Sequence, residues 1–416
     1  MAESTRKKIR TETFRVESEN DDTVQQSCEN SVDSNIYLTY DILRIIFGYL
    51  NGRDLTNAAM VCRLWLEAAN NEKSIRRSPH CFKEYFIHKS LENNKKSDDV
   101  NLNLRHLKNS RIIPFLGFFF ISVTSTTVSH LITEYILNLL PKNCETTILC
   151  TRTIVNEEQD YTSFPSNIIC ALLPQISNVK VNMFTICMPY IQKSISQRII
   201  NKQSSKTFEY EKNRLFNVID ETSTPNNKST CLMLFCNHSG HTTADHMISA
   251  IQNCKRDKIA SLWGGVVRNV YTQHVHNNDK YKTAKKFSVY SSYCVAVLIT
   301  GPIQSWSIVV DQKCDTKVLV EEKLKLFKDQ IKLRKHSLGF MFSCIGRTVE
   351  NAETNIESII FKTVFPNVPL VGCFGDGEFG KNTIPDEKLK ETTRSKKKID
   401  SWCHQFSTIF MILTYD

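Results

Sequence analysis

The chain has 416 residues, 41% of them hydrophobic and 23% charged, with a formal net charge of +10. This length and composition exclude both a single small domain and a wholly disordered polymer, and point to two or three folded units. The basic balance suits nucleic acid, an anionic surface or an acidic protein, and selects none of them.

Residues 1–14 carry charges but no apolar stretch, so no secretory leader is expected there. The fifteen cysteines are too dilute for a disulfide scaffold. The greasiest run, Ile112–Val123, is well short of the ~20 residues of a spanning helix. A soluble, intracellular, reduced protein of cytoplasm and nucleus is expected, without a membrane partner. Residues 1–34, rich in Ser, Glu, Asp, Asn and Lys, read as a disordered tail. An apolar helical segment follows within 35–80, and the polar run Lys89–Asp99 reads as a linker.

From Arg111 one pattern recurs three times. Strand Ile112–Ser122, helix Val128–Leu140 and strand Thr147–Thr151 form the first unit. Strand Cys231–Phe235, helix Thr243–Cys254 and strand Ile259–Trp263 form the second. Strand Ser337–Ser343, helix Ala352–Phe365 and strand Leu370–Phe374 form the third. Apolar residues fall three and four apart in the helices, as Leu131, Tyr135 and Leu139 or Ile356, Ile360 and Val364 do. Pro141 and Pro366 act as stop signals. Ile168–Leu173, Val179–Ile186, Tyr293–Thr300, Ile303–Val310 and Gln405–Leu413 read as further strands, with Gly301-Pro302 turning a hairpin. The fold class implied is mixed α/β (α+β): a small helical unit, then mixed sheets with helices packed on a face. A true internal repeat and a chance recurrence both remain open.

The segment from Ile36 to Ala69 carries the most information. Leu38, Ile42, Ile46 and Leu50 fall four apart, while Leu43 and Phe47 make a second stripe. Asn51-Gly52 breaks this helix, Asp54 is placed to cap the next, and Val61, Leu64 and Trp65 continue the apolar face. The run Leu38…Ile42…Ile46-Phe47…Leu50, Asp54-Leu55, then Val61-Cys62-Arg63-Leu64-Trp65 resembles the F-box family. Thr39 stands where that family usually has proline, and Asp41 where it usually has glutamate. The resemblance implies docking on a Skp adaptor through Leu38, Ile42, Ile46, Phe47, Leu50, Asp54, Leu55, Val61, Cys62 and Trp65. Through the adaptor it implies cullin and RING subunits, and a protein target whose identity is open. Apolar residues on two stripes of a short helix also exceed what one small core covers, which suits helix-on-helix docking. The competing structural reading is a helical hairpin belonging to the main domain.

Residues 336–380 resemble the carboxyl-terminal half of the FIST domain: Gly339-Phe340-Met341-Phe342-Ser343-Cys344-Ile345-Gly346-Arg347, a helix, Phe365-Pro366-Asn367-Val368-Pro369, then Gly375-Asp376-Gly377-Glu378-Phe379-Gly380. The resemblance implies a FIST-like body in two halves, 105–210 and 228–416, with Cys344, Arg347, Gly375, Asp376, Gly377 and Glu378 as a target or ligand loop. The loop formally fits G-x-G-x-x-G, but a charge-rich stretch follows it, and two carboxylates would repel a pyrophosphate. Its glycines are instead expected at positive φ. Arg347 is placed to lower the Cys344 pKa. Cys231, Cys236, His238, His241 and His246 lack metal-ligand spacing. The basic clusters Arg6–Arg10 and Arg394–Lys398 read as solvated segments or import signals, and no aromatic interleaving suggests nucleic acid. No cofactor, metal or catalytic group is expected. The reading is a target-recognition subunit of a Skp–cullin–F-box ubiquitin ligase; the alternative is a small-ligand sensor.

Overall fold

The computed structural model describes residues 38–88, 100–102, 104–123, 125–155, 167–187, 197–222, 230–273, 291–348, 356–384 and 401–416. The expected tail, the Lys89–Asp99 linker and both basic clusters lie outside the described residues. Residues 40–416 form one compact unit.

The chain opens with three helices, α1 (Tyr40–Tyr49), α2 (Gly52–Ala58) and α3 (Arg63–Ile75). Strands β1 (His80–His88) and β2 (Val100–Leu102) and the short helix α4 (Arg105–Lys108) lead to β3 (Pro114–Ser122), α5 (Thr126–Leu139) and β4 (Glu145–Thr151). Next come β5 (Asn167–Pro174), β6 (Lys180–Cys187), the long α6 (Gln197–Thr222), β7 (Cys231–Asn237), α7 (His241–Cys254), β8 (Ser261–Val267) and β9 (Asn269–Gln273). The last stretch holds β10 (Ser291–Thr300), β11 (Gln304–Val310), α8 (Lys317–Gln330), β12 (His336–Cys344), α9 (Ile356–Val364), β13 (Leu370–Gly375), β14 (Glu378–Gly380), β15 (Cys403–His404) and β16 (Thr408–Tyr415).

Among the described residues twelve strands form one sheet, in the order β15-β14-β8-β7-β10-β9-β4-β3-β5-β1-β2 with β6 on the other edge of β10. Four form a second sheet, β11-β16-β12-β13. The three recurring units are all β-α-β pairs with parallel strands: β3 with β4, β7 with β8, β12 with β13. The second and third share a detail. Gly264 faces Leu234 and Gly372 faces Met341 across the parallel pair. Both have positive φ, and a Cβ would stand 1.9 Å from the facing carbonyl oxygen at each. Only glycine fits there.

Why these strands are apolar throughout follows from the layering. Side chains alternate across a strand. Phe118 and Phe120 of β3 face the core between the sheets, with Met233, Phe235, Trp263, Phe340, Phe342 and Met411. Phe119 and Ile121 face outward, under Ile132 and Ile136 of α5. Leu232 and Leu234 face α7, while Phe410 and Ile412 face α8 and α9. Strands covered on both faces lose the polar alternation of half-exposed ones. Trp263 locks the sheets together: its ring lies 5.4 Å from Phe235 and 5.1 Å from Phe340, and its Nε1 donates to Ile409 O.

Two expectations fail here. Gly301-Pro302 does not turn a hairpin, because β10 and β11 belong to different sheets. Gly301 has φ +128 and a Cβ there would lie 2.3 Å from Asn178 O, so it carries the chain across a tight crossing between layers. The loop glycines 375, 377 and 380 are not at positive φ. Gly375 and Gly380 are small because Val266 O and the Ile409 side chain fill the space a Cβ would need.

Candidate functional site

The predicted site residues fall in two places, helices α1–α3 and the loop at the ends of β12 and β13. In α1, Leu43 and Phe47 are fully buried against Leu55 and Ala58 of α2 and Ala68 and Ala69 of α3. Trp65 meets the Phe47 ring edge-on at 5.3 Å and is half-buried, as is Leu50. This closes a small core. The opposite side of α1 is apolar too: Ile42, Ile45, Ile46 and Tyr49 are 40, 65, 41 and 88% exposed. Met60, Val61, Leu64 and Leu66 add further exposed apolar side chains from the α2–α3 turn and the start of α3.

Of the predicted adaptor-facing residues, Ile42 and Ile46 on α1, Asp54 on α2, and Val61 and Cys62 in the α2–α3 turn are exposed, and Leu38, exposed as well, precedes α1. Phe47 and Leu55 are not surface groups; they build the hairpin's own core. Leu50 turns partly inward for a geometric reason. A helix advances 100° per residue, so each step of four drifts by about 40°, and the series Leu38, Ile42, Ile46, Leu50 rotates towards Leu43. The outward stripe is instead Ile42, Ile45, Ile46 and Tyr49. Its i, i+3, i+4, i+7 spacing was available in the sequence. Asp54 is not the cap. Asn51 Oδ1 accepts from Asp54 N at 2.8 Å, and the Asp54 carboxylate accepts from Asn51 Nδ2.

The second place is built differently. Cys344 ends β12 and Arg347 follows in a short 3-10 turn. Arg347 Nη2 pairs with Glu357 Oε1 at 2.5 Å, and its other donors reach the carbonyls of Asp311, Cys314 and Phe406. Thr408 Oγ1 donates to the second Glu357 oxygen. Arg347 is thus occupied and does not activate the thiol. Burial and the neighbouring Glu378 carboxyl push Cys344 upward. Glu378 is fully buried, takes Ser407 N on Oε2, and is itself raised by desolvation. Asp376 reaches outward to His238, Oδ2 to Nε2 at 3.1 Å.

Gly375–Gly380 runs from β13 into β14, which pairs with β8, so this loop leads into a strand and not into a helix N-terminus that could receive a phosphate. Cys231 and Cys236 face opposite cores of β7. Among the described residues no group of three or more His, Cys, Asp and Glu is placed to hold a metal ion. No described helix is long and apolar enough to cross a membrane.

Comparison with known proteins agrees with the first place. Residues 40–81 match the F-box-like family. Over 399 residues, 90% of this chain and 92% of the relative, the chain is 23% identical to F-box only protein 22 of Homo sapiens. The Pongo abelii protein of that name gives the same identity and coverage.

Proposed function

We propose, on the premise of the F-box-like match at residues 40–81, that this chain is the target-recognition subunit of a Skp–cullin–F-box ubiquitin ligase. One observation carries the reading. Helices α1–α3 close their own core around Leu43, Phe47 and Leu55 and still present Ile42, Ile45, Ile46, Tyr49 and Val61 to solvent. Exposed large apolar groups gathered on one short element mark a partner surface. A Skp adaptor helix is the occupant that the F-box-like match supplies, with cullin and RING subunits reached through it.

The α/β body then selects a protein target. Such a subunit needs no nucleophile of its own. Holding the target beside a ubiquitin-charged enzyme raises their effective concentration, which is a rate term in itself. The sensor alternative has weaker support, since most of the polar groups at the β12–β13 loop are engaged within the chain: Arg347 with Glu357, Glu378 Oε2 with Ser407 N, and the exposed Asp376 with His238.

The test uses Ile45→Glu and Val61→Glu in the full chain. Both side chains are more than half exposed, so the fold and its melting temperature should hold while capture of the Skp adaptor falls at least about a hundredfold. That loss equals roughly 2.7 kcal/mol of binding. Undiminished capture by the double variant would sink the reading. Leu50 is unsuitable for this purpose because it helps close the hairpin core.

A further inference from the structure

The segment between α3 and β1 is only residues 76–79, and it is not a free linker. Arg76 closes α3, with its side chain 8% exposed. Its Nε donates to Glu72 Oε1 at 2.7 Å. Its Nη1 donates to Leu50 O at 2.7 Å and Arg111 O at 2.6 Å. Its Nη2 donates to Phe47 O at 2.7 Å and Gly48 O at 3.3 Å. A guanidinium has five N–H groups in a rigid plane, and each has an acceptor here. Three of those acceptors are carbonyls at the end of α1, where a helix leaves its oxygens unpaired and negative. The Arg111 oxygen belongs to the α/β body.

The body reaches back. Arg111 Nη2 donates to Gly48 O at 2.7 Å, and Gly52 N donates to Ser110 O at 2.8 Å. A Cβ at Gly52 would lie 2.6 Å from Ile112 O, so helix α2 touches the body backbone to backbone. Just beyond Arg76, Tyr415 Oη donates to Arg77 O at 2.8 Å, and Ser78 Oγ lies 3.2 Å from His336 Nδ1.

We propose that Arg76 is a positioning residue: it sets the angle at which the adaptor-docking helices hold the target-selecting body, so that the chain presents its target as one rigid piece. The angle follows from the clasp geometry alone; its consequence for ubiquitin transfer rests on the ligase reading. A planar fork bound to two segments on one side and one on the other fixes direction as well as distance. A lysine could keep the charge but has three donors on a flexible stem. The hairpin core is closed by apolar side chains, Leu43, Phe47, Leu55, Ala58, Ala68 and Ala69, so Arg76→Lys is expected to leave that core packed and the adaptor-docking face in place.

The experiment compares the full chain with Arg76→Lys and, as a steric wedge at the same seam, Gly52→Ala. Labels attached through non-natural residues at Asn70 and Lys332, both exposed, report the angle by pulsed electron spin resonance. A single narrow distance is expected for the native chain and a distribution at least twice as wide for either variant. In the reconstituted ligase, adaptor affinity should stay within about twofold, while the lysines modified by self-ubiquitination should spread from a confined set to a broad one. A broad distance distribution in the native chain, or unchanged distances and lysine sets in both variants, would overturn the proposal. Failure of the native chain to bind the Skp adaptor would sink the ligase reading instead. The distances, measured on the chain alone, would still judge the clasp.

Discussion

The face of α1–α3 and the loop where β12 and β13 end differ in what they leave unfinished. In the first, polar groups are few and large apolar side chains stand in water, Tyr49 at 88% exposure. In the second, the central charged groups are enclosed, Arg347, Glu357 and Thr408 bind one another, and only Asp376 reaches outward, to His238. A surface of the first kind gains when another chain covers it. A cluster of the second kind already holds its own neighbourhood together, and its value lies in the fold. The difference teaches that a polar, motif-rich loop is a weaker pointer to an intermolecular site than a short helix with more apolar residues than it can bury.

The largest expected effect tests the second half of that contrast. Glu357→Ala leaves the Arg347 guanidinium buried without its carboxylate, and removal of one partner of a buried pair costs about 3–5 kcal/mol. Urea denaturation of the full chain should show that loss, and a change below about 1 kcal/mol would mean that the cluster is not structural.

A smaller effect concerns another polar group enclosed by the body. Burial raises the Glu145 carboxyl from 4.5 to about 7. The folded chain then keeps a proton that the unfolded chain releases between those values. Stability from this group is therefore complete at and below pH 4.5 and is lost as pH climbs to 7. Glu145→Gln should flatten that decline by about 1 kcal/mol, given the partial exposure of the group. Denaturation at both ends of the window measures it, and an unaltered slope would refute the assignment.

The smallest effect sharpens the first half. Tyr49→Ser removes a ring that stands in solvent, so the melting transition should move by no more than the equivalent of about 0.5 kcal/mol. A larger shift would mean that the ring is packed in solution, and that this face is less open than its exposure states.

Much of this molecule was legible in its sequence. The three strand–helix–strand units are recognisable because long apolar strands flank helices with clean three-and-four spacing, and all three pairs are parallel in the structure. Helix α6 escapes a periodicity reading because its sequence, Gln197–Thr222, is mostly polar, and among its described side chains the fully buried apolar ones are Leu215 and Ile219. Sheet membership escaped too. Nothing local to Gly301-Pro302 says that the next strand joins another layer, since that choice is made by β16, about a hundred residues on. On α1 the apolar content was plain but the division into inner and outer stripes needed the 100° rotation. Arg76 could not have been picked out at all. Its acceptors are backbone oxygens, which leave no mark in an amino-acid sequence.

Strand β16 lies between β11 and β12, and its last residue, Tyr415, fastens to Arg77 across 338 residues. A ribosome making this protein releases α1–α3 early, yet β11 and β12 must wait with open edges until residues 408–415 emerge. Long waits of that kind expose strand edges to other nascent chains. Capture of the growing polypeptide by chaperones is therefore expected to be concentrated in the interval after β12 has emerged and before β16 follows, when the helices have already formed.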